Sequence, residues 1–548
     1  MFDQMQTNFV NKVYFVCESK THQVDVKMFD FSIFFEEKIN SNIQNFEFLI
    51  EFSIPIKKIR LPDYTWGDLS KNRIIPNFCN QILQLNNNCY VQSSQYQGIW
   101  EINSKNKNQL IWKFNPLNCS NLTRYQGKFN AKAQQNANQS YNNQLKLQLL
   151  FSFENAIEIS RSPVPFAAIV CFTDHCDFDT LSLLQQQRNF FKKNNIKITK
   201  GFFLNHFSKR TDNASYERDF EELKKWQTDG HELAYHSLSQ SIKSDAESRK
   251  DFFEFEPVFN ATTWIDHGFQ PYNLSLYQNN SISDADFART LATKNIQILW
   301  NYIDSGTATC GVLNQLNPDN FTLQSFWLGT KKQSFQTRIA LMVKIILVHF
   351  YNDEKLIQSY TKVASSFKKA LQKKTIFEFY MFVKASCVVI FPLLKVILFW
   401  NSYKNKVFAN ARYCPLFFHH TIDDTKFTIF QSLELLDFKS SFEPKSIDKF
   451  VAENGIFIGH TYFSVPLEYH HGRLFDNHNN IAPTVTKNFD YLGTKIKNSE
   501  IWNPTLWELH QQWNLFHTTQ FEVNQFNEII ISEHKFLISR YLKNETPT

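Results

Sequence analysis

At 548 residues the chain exceeds one ordinary domain, and its length suits about two to four. With 43% hydrophobic and 20% charged residues it has the composition of a globular protein with a sizeable core. The net charge of +6 is mild, and without long basic runs or aromatic–basic interleaving it argues against nucleic acid as a partner. Nine cysteines, an odd number at irregular spacing, make neither a disulfide framework nor a paired C-x-x-C zinc site. They read as reduced thiols of a cytosolic protein. The start, MFDQMQTNFVNKVYFV, shows no basic stretch, continuous apolar core or small-residue cleavage site. A cytoplasmic location is the expectation.

Residues 1–150 carry short β-rich runs such as VDVKMFDFSIFF, FEFLIEFSIPI, GIWEI and QLIWKF, and are expected to form a mainly β domain. The polar stretch KFNAKAQQNANQSYNNQ marks the boundary region that follows. From Pro165 strands and helices alternate: AAIVCFT, TLSLLQQQRNFFKKN, IKITKGFFL, ASYERDFEELKKWQTDG, HELAYH, ATTWIDH, DADFARTLATKN and IQILWNYI. Repeated βα units predict a parallel sheet or a (β/α) barrel over 151–335, with chemistry at the C-terminal ends of the strands. Residues 336–412 break the rhythm as a helical insertion. Its apolar run ASCVVIFPLLKVILFW, 385–400, has basic flanks and is shorter than a spanning helix needs. That run reads either as a buried helix pair or as a peripheral contact with the inner face of a membrane. Residues 413–548 then complete the sheet, with IFIGHTYF as a late strand.

Polar residues gather at the predicted strand ends. VCFTDHCDFDT places Asp174, His175, Asp177 and Asp179 just past a buried strand, where carboxylates and imidazoles can hold a divalent cation. Asp174 is read as a ligand and Asp179 as the cap of the next helix. In DGHELAYHSLSQ, His231 and His236 are five apart and fall on opposite faces of a strand, so His236 at its C-terminal end is the better ligand. Asp266 and His267 end ATTWIDH, Asp304 follows IQILWNYI, and His460 ends IFIGH. His470, His471 and Arg473 lie in a loop after it, read as a solvent-exposed loop or a cover to the site.

These segments resemble the NodB-homology polysaccharide deacetylases, carbohydrate esterase family four. CFTD at Cys171–Asp174 matches the family's T-F-D-D, GHELAYHSLSQ its histidine motif G-H-E-x-x-x-H-[ST]-x-x-H, and FIGH at Phe457–His460 its late L-x-H. The resemblance covers Pro163 to Asn301 and about Phe427 to Tyr469, in the family's order. It implies an irregular (β/α) barrel and a metal-dependent hydrolase, with zinc held by Asp174, His175 or His267, and His236. It implies His460 as general acid, with Asp174 and Asp266 in the catalytic set and Asp177 or Asp266 as the carboxylate that replaces the family's base. His267, Trp264, Tyr272 and Asp304 would line the substrate site, with Trp300 and Tyr302 near them. Two departures stand out: Thr173 where the family has its base, and Gln240 where it has a second histidine.

The first functional expectation is removal of acetyl groups from a polysaccharide or glycolipid precursor. A second is a carbohydrate-binding or scaffold protein whose deacetylase-like domain is inactive. A third is a metal-dependent phosphoesterase, suggested by TDHCDFD but lacking that family's H-x-H opening.

Overall fold

A computed structural model describes residues 9–544 except 19, 41–42, 118, 128–129, 140–143, 211, 303, 374–375, 468–471 and 534–536. His470 and His471 lie outside the described residues.

The N-terminal residues form two antiparallel sheets of six and seven strands. Their strands alternate as half-buried strands must: in Phe46–Phe52 every second residue, from Phe46 to Phe52, is buried. Aromatic rings lock the sheets together, with Phe35 of one sheet 5.3 Å from Phe48 and 6.4 Å from Trp112 of the other, centroid to centroid. A hairpin, Asn121–Gln126 with Ala131–Asn136, leaves this region and reaches the later sheet. There the Tyr125 amide donates to Ser275 O at 2.9 Å, and Asn301 Nδ2 donates to Asn121 O at 2.5 Å.

The second region is an eleven-stranded sheet. In spatial order its main path runs Thr307–Ala308, Leu433–Leu435, Ile456–Thr461, Ala168–Asp174, Thr199–Phe202, Glu232–Tyr235, Thr263–Trp264, Ile298–Trp300, Thr425–Phe430 and Phe417–Ile422. Ile501–Trp502 pairs beside Ala168–Asp174. Every pairing is parallel except the last, between Phe417–Ile422 and Thr425–Phe430. Helices such as Leu181–Lys193 and Tyr216–Thr228 connect the strands. The Ala168–Asp174 strand is buried along its whole length, as befits a central parallel strand.

The expected irregular (β/α) barrel does not form. Among the described residues no ladder joins the two ends of the path, and the N-terminal sheets are antiparallel throughout. Closure needs end strands long and tilted enough to pair with each other. Here one end is a two-residue strand and the other an antiparallel return, so the sheet stays open.

The underside of this sheet shares a core with the N-terminal sheets, through Ile169, Cys171, Ile298, Phe430 and Ile458. The chain end seals the junction. Ser539–Lys543 pairs with Asn155–Ile159, and buried Glu158 accepts from Arg60 Nη2 at 2.9 Å and Arg540 Nε at 2.7 Å. In the chain, a helical segment separates Thr307–Ala308 from Phe417–Ile422. It comprises Phe335–Lys344, a π-helical turn Ile345–Phe350, Glu354–Lys373 and Ile376–Leu398. No described helix is long and apolar enough to cross a membrane.

Candidate metal centre

Three donor atoms converge at the C-terminal edge of the parallel sheet: Asp177 Oδ2, His236 Nε2 and His267 Nδ1, all within 4.8 Å of one another. Each comes from the residues just after a strand. Asp177 follows Ala168–Asp174, His236 follows Glu232–Tyr235, and His267 follows Thr263–Trp264. The strand Thr199–Phe202 lies between the first two. Its Gly201 lets the Asp177 loop cross, because a Cβ there would stand 2.6 Å from Asp174 O and 3.3 Å from His236 Cβ.

The second nitrogen of each imidazole is held by a backbone carbonyl. His236 Nδ1 lies 3.3 Å from Ile265 O, and His267 Nε2 lies 2.9 Å from Gln240 O. A carbonyl only accepts, so each of these nitrogens carries the proton. The lone pairs of His236 Nε2 and His267 Nδ1 therefore face each other across 3.0 Å, with Asp177 Oδ2 at 3.3 and 3.5 Å. Three electron-rich atoms held this close call for a cation or a shared proton. Burial pulls His267 down to about 4, which disfavours the proton. Asp177 is buried yet held well below the carboxylate range by His267, His236 and Arg210. Arg210 occupies its other oxygen, at 2.9 Å from Oδ1, and lies over the Phe178 ring. Ser237, left-handed at φ 57°, turns its hydroxyl to accept the His267 amide at 3.1 Å. The donor set of two imidazoles and one carboxylate, each oriented by a second partner, could hold a divalent metal ion through three protein ligands.

Asp174 lies elsewhere. It is fully buried, ion-paired to Lys200, and accepts the Phe463 amide at 2.9 Å. Lys200 also binds Asp179 at 2.5 Å and Gln187 Oε1 at 2.9 Å. Burial raises the Asp174 carboxyl; burial alone would lower Lys200, but the two carboxylates raise it. Asp179 accepts from Gln187 and Ser464, and it is Thr180 that caps the helix Leu181–Lys193. Thr173 donates its hydroxyl to Gly459 O at 2.8 Å.

His460 forms a dyad with Asp304, its Nδ1 at 3.1 and 3.2 Å from the two carboxylate oxygens. Asp304 is fixed in turn by Ser432 Oγ at 2.8 Å, which accepts from Trp300 Nε1 at 2.8 Å. His460 Nε2 is buried with no hydrogen-bond partner among the described residues. His175 lies between this dyad and the triad, its ring 4.4 Å from that of His460 and 4.5 Å from that of His236. Trp300 and Tyr302 stand beside it in contact, and Tyr125 from the N-terminal hairpin meets Tyr302 at 6.0 Å.

Trp264 and Tyr272 belong to the core, packed with Tyr235 and Phe252. Asp266 is buried and accepts from the Leu274 and Ser275 amides at 3.1 and 3.2 Å, which organises that turn; burial pushes it up to about 6. His231 accepts from the Ile198 amide and packs on Trp226.

No family model matches this chain, and no curated protein matches it. Among solved structures, a family 31 glycoside hydrolase dextranase from Flavobacterium johnsoniae was found in two forms, with isomaltotriose bound to a point mutant and with glucose bound. Identity is 9% in each, over 54% of this chain and 44% of the dextranase, with a TM-score of 0.21. The chain thus matches less than half the dextranase's length, and a superposition of that quality carries no functional weight.

Proposed function

We propose that the chain is a metal-dependent hydrolase that removes acetyl groups from a carbohydrate, either a polysaccharide or a glycolipid. The observation that carries this reading is the convergence of Asp177, His236 and His267 at a sheet edge that also holds the His460–Asp304 dyad. A divalent cation, zinc by the donor set, would supply Lewis acidity for an acyl carbonyl and acidify water.

The chain's own residues do the remainder. Asp304 keeps the Nδ1 proton of His460 in place, so Nε2 presents its lone pair. Nε2 takes a proton from attacking water and returns it to the departing amine or alkoxide, one imidazole serving as base and then acid. This double role suits a site where Thr173 is no base and where Asp174 and Asp266 are engaged in buried contacts. The half-buried Tyr125, Tyr302 and Tyr462 offer ring faces for a sugar.

Metal analysis of the purified chain, followed by acetate release from N-acetylglucosamine oligomers, tests the reading. One metal per chain with acetate release that is lost in His460→Ala is expected. Glycan binding without acetate release would instead favour a binding protein, and phosphate release from phosphate esters a phosphoesterase.

A further inference from the structure

The helix Ile376–Leu398 shows the solvent a surface unlike the rest of the molecule. Of the 26 large apolar side chains exposed on the described chain, eleven fall between Phe377 and Phe399. Phe377 is 68% exposed, Phe391 73% and Leu398 75%. The opposite side of the helix is the one that packs: Val389 and Val396, seven residues and two turns apart, are buried, and Tyr351 Oη donates to Pro392 O at 3.4 Å. An apolar patch of this kind marks an interaction surface rather than ordinary surface scatter.

The charge around it says which kind. Residues 331–406 hold fourteen Lys and Arg against three Asp and Glu, a surplus of eleven in a chain whose total is +6. The remainder of the protein is therefore net negative, and the positive charge is concentrated in the sequence on either side of the apolar helix, with Lys332 and Lys344 paired to Glu443 and Glu434. Lys384 and Lys395 sit exposed within the face itself, and neither has a carboxylate within ion-pair distance among the described residues. Long lysine stems can bury their methylenes while lifting the ammonium to a phosphate layer.

We infer that this outward face docks on the surface of a membrane containing anionic lipid. The 23-residue helix is about 35 Å long. With Lys384, Lys395 and Pro392 within it, it lies in the interfacial plane, its apolar side chains among the acyl chains and its lysines at the headgroups. A second copy of the chain is the poorer occupant, because a two-fold contact would set both basic segments against each other. The inference stands on this helix alone and is independent of the metal-site reading.

Flotation of the full chain with phosphatidylcholine vesicles, with and without phosphatidylserine, tests it. The wild type is expected to float with the mixed vesicles, and F391D/L394D/L398D to lose at least about tenfold in partitioning. K384E/K395E should lose the preference for phosphatidylserine. These side chains are exposed, so the variants should melt with the wild type; the single change Phe391→Asp repeats the test with the smallest disturbance. A wild type that ignores vesicles overturns the inference, as does an aspartate variant that floats equally well. A wild-type dimer that the aspartate variant dissolves, without vesicle binding, would overturn it in favour of self-association.

Discussion

His236 Nε2 and His267 Nδ1 face each other at 3.0 Å, each ring anchored through its other nitrogen to a backbone carbonyl. The anchors fix the tautomers, so the gap is a lone-pair cage that Asp177 completes. Asp177→Ala should lower metal affinity by more than the roughly 10–100-fold typical of losing an outer hydrogen bond. Asp174→Asn should retain the metal. Metal titration of the two variants separates these positions directly. If Asp174→Asn loses metal while Asp177→Ala keeps it, Asp174 and not Asp177 is the metal carboxylate.

Lys200 neutralises two buried carboxylates, and none of the three groups meets solvent. Lys200→Met leaves Asp174 and Asp179 uncompensated and should cost about 3–5 kcal/mol in denaturant unfolding. Adding Asp174→Asn and Asp179→Asn should restore much of that loss. A Lys200→Met protein as stable as wild type would mean that the pocket admits water.

The dyad predicts a graded effect on turnover. His460→Ala should lower kcat by roughly 10²–10⁴. Asp304→Asn should cost less, with metal content unchanged in both. Steady-state acetate release alongside metal analysis makes the check, because a purely structural role would lower stability and metal content together.

Acid should unfold the protein early. Burial holds His231, His349, His510 and His517 near 4, and His419 and His420 near 3, below the ordinary 6.5. Between about pH 4 and 6.5 the unfolded chain binds protons that the folded chain refuses, so stability falls as pH falls through that window. Asp174, Glu232 and Asp266, raised by burial, act in the opposite sense, three groups against these six and His267. Thermal melts from pH 6.5 to 4.5 should show a net loss; a flat profile would contradict the burial of these rings.

Much of the parallel sheet was legible because βα alternation and apolar strand cores are local signals. The place of His236 at a strand end makes it readable as a candidate donor, and it lies in the cluster with Asp177 and His267. Closure was not legible, since open and closed sheets share the same rhythm and differ only in how distant end strands meet. The carboxylate of the candidate cluster differs from the expected Asp174 for a related reason. Asp174 ends its strand, but a neighbouring strand brings Lys200 against it in register. The lysine inside the apolar run IKITKGFFL was the available signal, since a cation in a buried strand implies a buried acid. Gln240 departs from the family motif, yet its backbone carbonyl orients His267, which supplies the second imidazole. The Asp304–His460 contact spans 156 positions in sequence and lies beyond any spacing rule.

The central strand Ala168–Asp174 has a further consequence during protein synthesis. Its partner on one side, Ile456–Thr461, is made about 280 residues later. At ribosomal rates that is roughly 15–60 s during which one edge of the nascent parallel sheet stays unpaired. His460 rides on the late strand, so a ribosome that stops short of it releases a chain with Asp177, His236 and His267 and an open sheet edge. Such a product would be a client for chaperones.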